Sequence, residues 1–231
     1  MPALTLLRQQ PRTLLLTAAA LPLALAVVDD VRVRRQLEVA RRDQLTGLPC
    51  RDGLTTYCTR QLAARRRNGD LLVLALDGNG FKAINDAYGH AAGDQVVVTL
   101  AHRLHQWCAA RRGLAARLGG DEFGAAVPVP REQFAQEMTS LRSHIDRPVP
   151  VAGLLLPFTV SIGAAYAADL PGRPFGDVLR AADVSMYKVK SGEEPFPYLG
   201  TAADADTKAV NGRRPGRPGT ALLEVPDDRH A

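Results

Sequence analysis

Leu71-Leu72-Val73-Leu74-Ala75-Leu76 is an unbroken apolar run that ends on an acid, Asp77. Its length is that of a strand, and apolar side chains pointing to both sides require that strand to be buried. The flanking sequence supplies the cover. Arg51 to Asn68 reads as a helix closed by Asn68-Gly69, and Phe81 to Tyr88 as a short helix. Gly93 to Ala110 reads as a longer one, with Val97, Leu100, Leu104 and Cys108 on a single face. Ala115 to Leu118 and Phe123 to Val129 flank Gly119-Gly120-Asp121-Glu122, a hairpin signal. Arg131 to Asp146 is helical, Leu154 to Ala167 offers one or two strands, and Phe175 to Lys190 forms the last helix. Strands alternating with helices, interrupted by a hairpin, predict a mixed α/β sheet.

The two ends of the chain have a different texture. Thr13 to Val28 carries no charge and is bounded by Arg12 and Asp29. As a helix these residues would span about 24 Å, against a bilayer core of about 30 Å. Three readings compete: a membrane anchor, a cleaved signal peptide suggested by Ala24-Leu25-Ala26, or a docked apolar helix. Arg32, Arg34, Arg35, Arg41 and Arg42 follow the segment while Arg8 and Arg12 precede it, so an anchor would leave the C-terminal side in the cytoplasm. The expectation is an N-terminal hydrophobic helix in the inner membrane, with the body of the chain in the cytoplasm. Asp29 to Arg42 reads as a polar linker helix with Val33, Leu37 and Ala40 on one stripe, too short to assert a coiled coil. Beyond Lys190 the apolar period is lost, and residues 193–231 read as a disordered tail.

Charge and cysteine content narrow the function classes. The net charge is +5, which could suggest nucleic acid. The largest share of the excess sits in residues 1–42, where seven Arg face Asp29, Asp30 and Glu38. No aromatic-interleaved basic patch accompanies it, so no nucleic-acid partner is expected. Cys50, Cys58 and Cys108 form no CxxC pair, which argues against a zinc finger and a disulfide framework.

Three carboxylates stand where chemistry often sits. Asp77 ends the buried strand, and Asp121 and Glu122 lie in the Gly-Gly hairpin. If the two strands are neighbours, the acids converge at one end of the sheet. Converging like charges repel, and a hard divalent cation relieves that repulsion while binding phosphate oxygens. Asp121 and Glu122 could equally be plain hairpin residues. Gly78-Asn79-Gly80 leaves backbone N–H groups open to a phosphate, and Lys82 adds positive charge. No GxxxxGK[ST] loop occurs and no GxGxxG follows a strand, so neither a P-loop nor a Rossmann site is supported. Asn85, His90 and Asp94 follow: Asn and Asp can pair with a base edge, whereas helix capping and surface positions are the plainer readings.

Taken together the motifs resemble the GGDEF family of diguanylate cyclases. The resemblance rests on Asp43-Gln44-Leu45-Thr46-Gly47-Leu48-Pro49, on Asp77 to Asp86, on Gly89-His90 and Gly93-Asp94, on Arg117-Leu118-Gly119-Gly120-Asp121-Glu122-Phe123, on Ser161-Ile162-Gly163 and on Ala182 to Lys190. It covers residues 43–192. It implies a palm-like α+β domain, with a central, mainly antiparallel sheet wrapped by helices. It implies two GTP molecules joined into cyclic di-GMP across a homodimer, with loss of two pyrophosphates. The alternative is a catalytically weak module that binds GTP or cyclic di-GMP as a regulatory receptor.

By position, the resemblance makes Asp77, Asp121 and the Gly78 carbonyl ligands of Mg2+ or Mn2+, two ions per active half-site. It gives Asp121 a part in deprotonating the 3′-hydroxyl, with Glu122 supporting the second ion or the hairpin. It assigns guanine to Asn85 and Asp94 with His90 beside them, and the phosphates to Lys82 and Lys190, with Gly80 and Phe81 also lining the substrate. Three departures bear on function. Asn79 replaces a common second Asp. Ala110 and Gly113 stand where the family's RxxD product-inhibition pattern would be, so no feedback is expected through it. Glu194 stands where the family usually has an Arg, and the family's final strand is not evident.

Overall fold

A computed structural model describes residues 42–64, 71–151 and 153–207. The buried run becomes strand β1 (Leu71–Gly78), with every residue buried. It pairs antiparallel with β3 (Glu122–Pro128) on one side and with β6 (Val160–Tyr166) on the other. β2 (Leu114–Gly119) completes a four-stranded sheet in the order β2-β3-β1-β6. All three pairings are antiparallel, which gives the α+β form implied by the resemblance.

The period of two along β1 divides its cover. Leu72, Leu74 and Leu76 pack with Val96, Val97, Leu100 and Leu104 of α3 (His90–Ala109) and with Met138 and Leu141 of α4 (Phe134–Ile145). Leu71, Val73 and Ala75 face Leu54 and Cys58 of α1 (Arg51–Ala64) and Val178, Ala181 and Ala182 of α5 (Phe175–Ser191). Asp77 continues the second set. Between β1 and α3 lies α2 (Phe81–Tyr88), entered through Gly80 at φ 69°, a left-handed turn that glycine adopts without strain. Burial pushes the thiols of Cys58 and Cys108 up to about 12, so both are inert, reduced packing groups.

Several expectations need correction. Helix α3 begins at His90, three residues before Gly93. The 131–146 helix opens as a 3-10 turn over Arg131–Gln133. The two strands offered over Leu154 to Ala167 are β5 (Leu154–Leu156) and β6, but the partner of β5, β4 (Val149–Val151), was not expected, because Pro150 breaks the strand signal; proline is tolerated on such edges. The chain beyond Lys190 is not patternless through residue 207. Leu199 bridges parallel to Ala164 of β6, and the Gly200 N–H donates to the Ala164 carbonyl at 2.7 Å. A short helix, α6 (Ala202–Asp206), follows with a capping box between Thr201 and Asp204. Asp204 is buried; burial pushes its carboxyl up, but hydrogen bonds from Lys188 and Thr201 outweigh that and hold it below the usual range. This segment has no apolar period of its own, because backbone bonds, small residues and one buried acid hold it.

The inner-membrane location is also corrected. Among the described residues no helix is long and apolar enough to cross a membrane, and no N-terminal hydrophobic helix is supported. The segment over 13–28 behind that expectation, and all but the last residue of the linker helix over 29–42, lie outside the described residues, as does the tail from 208 onward.

Candidate active site

The register of the sheet assembles the site. Asp77 lies directly opposite Glu122 in the β1–β3 pairing, and opposite Ser161 in β6. The β2–β3 turn is irregular between Arg117 and Gly119 and passes through Gly120 at φ 55°. Arg117 donates from Nε and Nη2 to the Gly120 carbonyl at 2.9 and 2.8 Å, which holds the turn in shape. The turn carries Asp121 onto Gly78: the Gly78 N–H donates to the Asp121 carbonyl oxygen at 3.2 Å. A Cβ on Gly78 would stand 3.2 Å from Asp121 Oδ2 and 2.7 Å from the Phe158 ring. Two buried acids, Asp77 at 5% and Asp121 at 4% exposure, thus flank Gly78, one preceding it in the chain and the other lying against it across the turn.

Lys190, in the last turn of α5, places Nζ against Asp77 Oδ2 in an ion pair. Asp183 stands two turns earlier on the same helix. Burial pushes its carboxyl up; the Asp77 charge pushes the same way and the Arg51 charge opposes both. Asp183 and Arg51 therefore belong to the electrostatic surroundings of Asp77, which the sequence reading did not assign. The seven-residue spacing of Asp183 and Lys190 on one helix was the available signal. Asn79 faces elsewhere: its Nδ2 donates to Thr159 Oγ1 at 3.1 Å, and its Oδ1 accepts from Ser161 Oγ at 2.8 Å. Both ends of the amide tie β1 to β6.

Helices α2 and α3 bring a second group together. Asn85 sits against Gly93, with Phe81 on the same spot; a Cβ on Gly93 would lie 1.9 Å from Asn85 Oδ1 and 3.1 Å from the Phe81 ring. Asp94 follows Gly93 and is exposed, as are His90 and Lys82. Glu122 is half-buried. Among the described residues no group of three His, Cys, Asp or Glu side chains converges as a cation site. Asp77, Asp121 and Glu122 therefore form no such group.

The domain family described as "Diguanylate cyclase, GGDEF domain" matches residues 40–194. This chain belongs to the GGDEF family. An uncharacterized 19.3 kDa protein of Streptomyces ambofaciens is 39% identical over 173 residues, 75% of this chain and 91% of the relative. Diguanylate cyclase DgcP of Pseudomonas aeruginosa is 36% identical over 159 residues, but the chain spans only 23% of its length. Among solved structures, the GGDEF domain of TpbB (YfiN) from P. aeruginosa superposes with a TM-score of 0.64 at 30% identity, covering 71% of this chain and 97% of that one. The coiled coil and GGDEF domain of DgcB from Caulobacter crescentus, solved with c-di-GMP, gives 0.64 at 27% identity, covering 80% and 98%. GGDEF proteins are in general diguanylate cyclases and use divalent metal ions.

Proposed function

We propose that this GGDEF chain is a diguanylate cyclase that condenses two GTP molecules into cyclic di-GMP. The observation that carries the reading is that two buried carboxylates flank Gly78: Asp77 precedes it in β1, and Asp121 lies against it. Two carboxylates and the Gly78 carbonyl are all hard oxygen donors, and a side chain on Gly78 would crowd the Asp121 carboxylate; both facts suit Mg2+ or Mn2+. Such an ion, when bound, neutralises phosphate charge and makes a sugar hydroxyl more acidic.

The chain's own groups do the rest in this reading. Asp121 accepts the proton of the 3′-hydroxyl as its oxygen attacks the α-phosphorus of the other GTP and pyrophosphate departs. The same step in the opposite direction closes the ring, so two copies of the chain must face each other. Lys82 and Lys190 meet the phosphates, and Lys82 balances charge that grows in the transition state. Asp94 accepts from the guanine N–H groups, Asn85 pairs with the base edge beside it, and His90, Phe81 and Gly80 border the nucleotide. Glu122, opposite Asp77 in register, supports a second ion or the hairpin.

Two expectations follow for substrate and product. Gly93→Ala should raise the KM for GTP about tenfold, the scale of one lost polar contact, because the new methyl displaces Asn85. Steady-state kinetics with a thermal melt beside them check this; an unchanged KM would remove Asn85 from the guanine site. With Ala110 and Gly113 at the RxxD positions, added cyclic di-GMP should not slow the reaction. Initial rates measured over a product series would show it.

Glu194 favours a second reading. Its backbone N–H donates to the Lys188 carbonyl at 3.2 Å, which fixes an acid at the end of the helix that carries Lys190. A nucleotide receptor with little turnover would tolerate that charge better than an enzyme. The deciding experiment incubates the full chain with GTP and Mg2+ and separates the nucleotides by chromatography. Cyclic di-GMP supports the cyclase; saturable GTP binding without product supports the receptor.

A further inference from the structure

The ammonium of Lys190 rests on the carboxylate that the cyclase reading gives to the divalent ion. Asp77 has a side chain only 8% exposed, and such a charge needs a partner at all times. A divalent cation on the same carboxylate would bring more positive charge close to the ammonium, and the two repel. They therefore compete for Asp77. Lysine carries its charge on a flexible four-carbon stem, so the ammonium is the mobile partner. The backbone beneath it is held: Lys188 pairs with buried Asp204 at 2.8 Å, and Ser185 Oγ donates to the Tyr198 carbonyl at 2.9 Å. The stem can therefore swing while the helix end stays in place.

We propose that Lys190 is a built-in counter-ion of the metal site, which neutralises Asp77 until a divalent cation displaces it and then passes to the nucleotide phosphates. This rests on the cyclase reading for the role of Asp77, and it gives Lys190 two successive partners. Asp183, on the same helix, adds a second negative charge near Asp77. Removing the ammonium leaves that negative charge less balanced, a setting that attracts a cation. The metal ion alone therefore binds weakly in the native chain, since it must first evict the ammonium. Nucleotide binding gives the evicted ammonium a new partner, so metal and triphosphate strengthen each other, and the coupling is reciprocal.

The test uses the full chain and Mn2+ in calorimetry, first without nucleotide. Lys190→Gln is expected to bind Mn2+ about tenfold more tightly than the native chain, because no ammonium competes for the carboxylate. Lys190→Arg should stay as weak as the native chain. In the Gln variant, Mn2+ should also lose most of its enhancement of GTP affinity. A second measurement needs no variant: reductive methylation of the native lysines, read by mass spectrometry. Lys190 should be slow to react alone, faster with Mn2+, and slow again with Mn2+ and GTP. Equal or weaker Mn2+ binding by Lys190→Gln, no Mn2+ binding by any form, or Lys190 reactivity indifferent to Mn2+ would each overturn the proposal. Intact Mn2+ effects in a chain that makes no cyclic di-GMP would instead sink the cyclase reading and leave the counter-ion standing.

Discussion

Asp121→Ala is expected to lower cyclic di-GMP formation by at least about a thousandfold, the scale on which loss of a metal-anchoring carboxylate acts on phosphoryl transfer. Two losses coincide. In the cyclase reading, the site gives up one of its two buried carboxylates and the 3′-hydroxyl its proton acceptor. The fold should survive, because Arg117 and the Gly78 N–H hold the turn through backbone oxygens that alanine retains. Asp121→Asn should be nearly as inactive, since the amide keeps the size but neither the charge nor the basicity. Product is read by chromatography and folding by a thermal melt on the same samples. A loss below about tenfold, which is about 1.4 kcal/mol of barrier, would mean that the cation is anchored elsewhere.

Gly163→Ala is expected to destabilise the domain by about 3–4 kcal/mol, above the usual range for an overpacked core because the obstacle is backbone. A Cβ at position 163 would lie 2.1 Å from the Ala182 carbonyl oxygen and 2.2 Å from the Met186 nitrogen. No side-chain rotation relieves that clash. Helix α5 would have to lift from β6, a central contact of the fold. For a domain of this size the melting temperature should fall by about 10 °C. Activity should fall too, because α5 carries Lys190 to Asp77. A melting point within about 2 °C of the native value, which corresponds to under 1 kcal/mol, would show that the helix accommodates the methyl at little cost.

The sequence announced those parts of the fold that rest on periodicity. Residues 71–76 could only be a buried strand, and the spacing of Val97, Leu100 and Leu104 could only be one face of a helix. The hairpin acids were legible because a Gly-Gly pair marks a turn at any depth. What stayed hidden depends on contacts between distant segments. Nothing local at Gly163 or Gly200 says that a helix backbone will lie against them. Nothing local at Asp204 says that it will be buried by Lys188, and its segment read as a tail for that reason. Asn79 looked like a missing acid; only the partnered strand shows that Thr159 and Ser161 occupy its amide. The hydrophobic stretch at 13–28, the strongest local pattern near the N-terminus, lies outside the described residues.

The packing of residues 196–207 redraws the practical limits of the domain. The family match stops at Glu194. A fragment cut there would strip Ser185 of the Tyr198 carbonyl, Lys188 of Asp204, and the β6 edge of Leu199 and Gly200. Arg173, at the far end of α5, would also lose its two bonds to Asp206 at 2.5 and 2.9 Å. The helix that aims Lys190 is thus fastened at both ends by residues beyond the family match. A fragment that keeps those fastenings and the C-cap of α6 ends at Thr207.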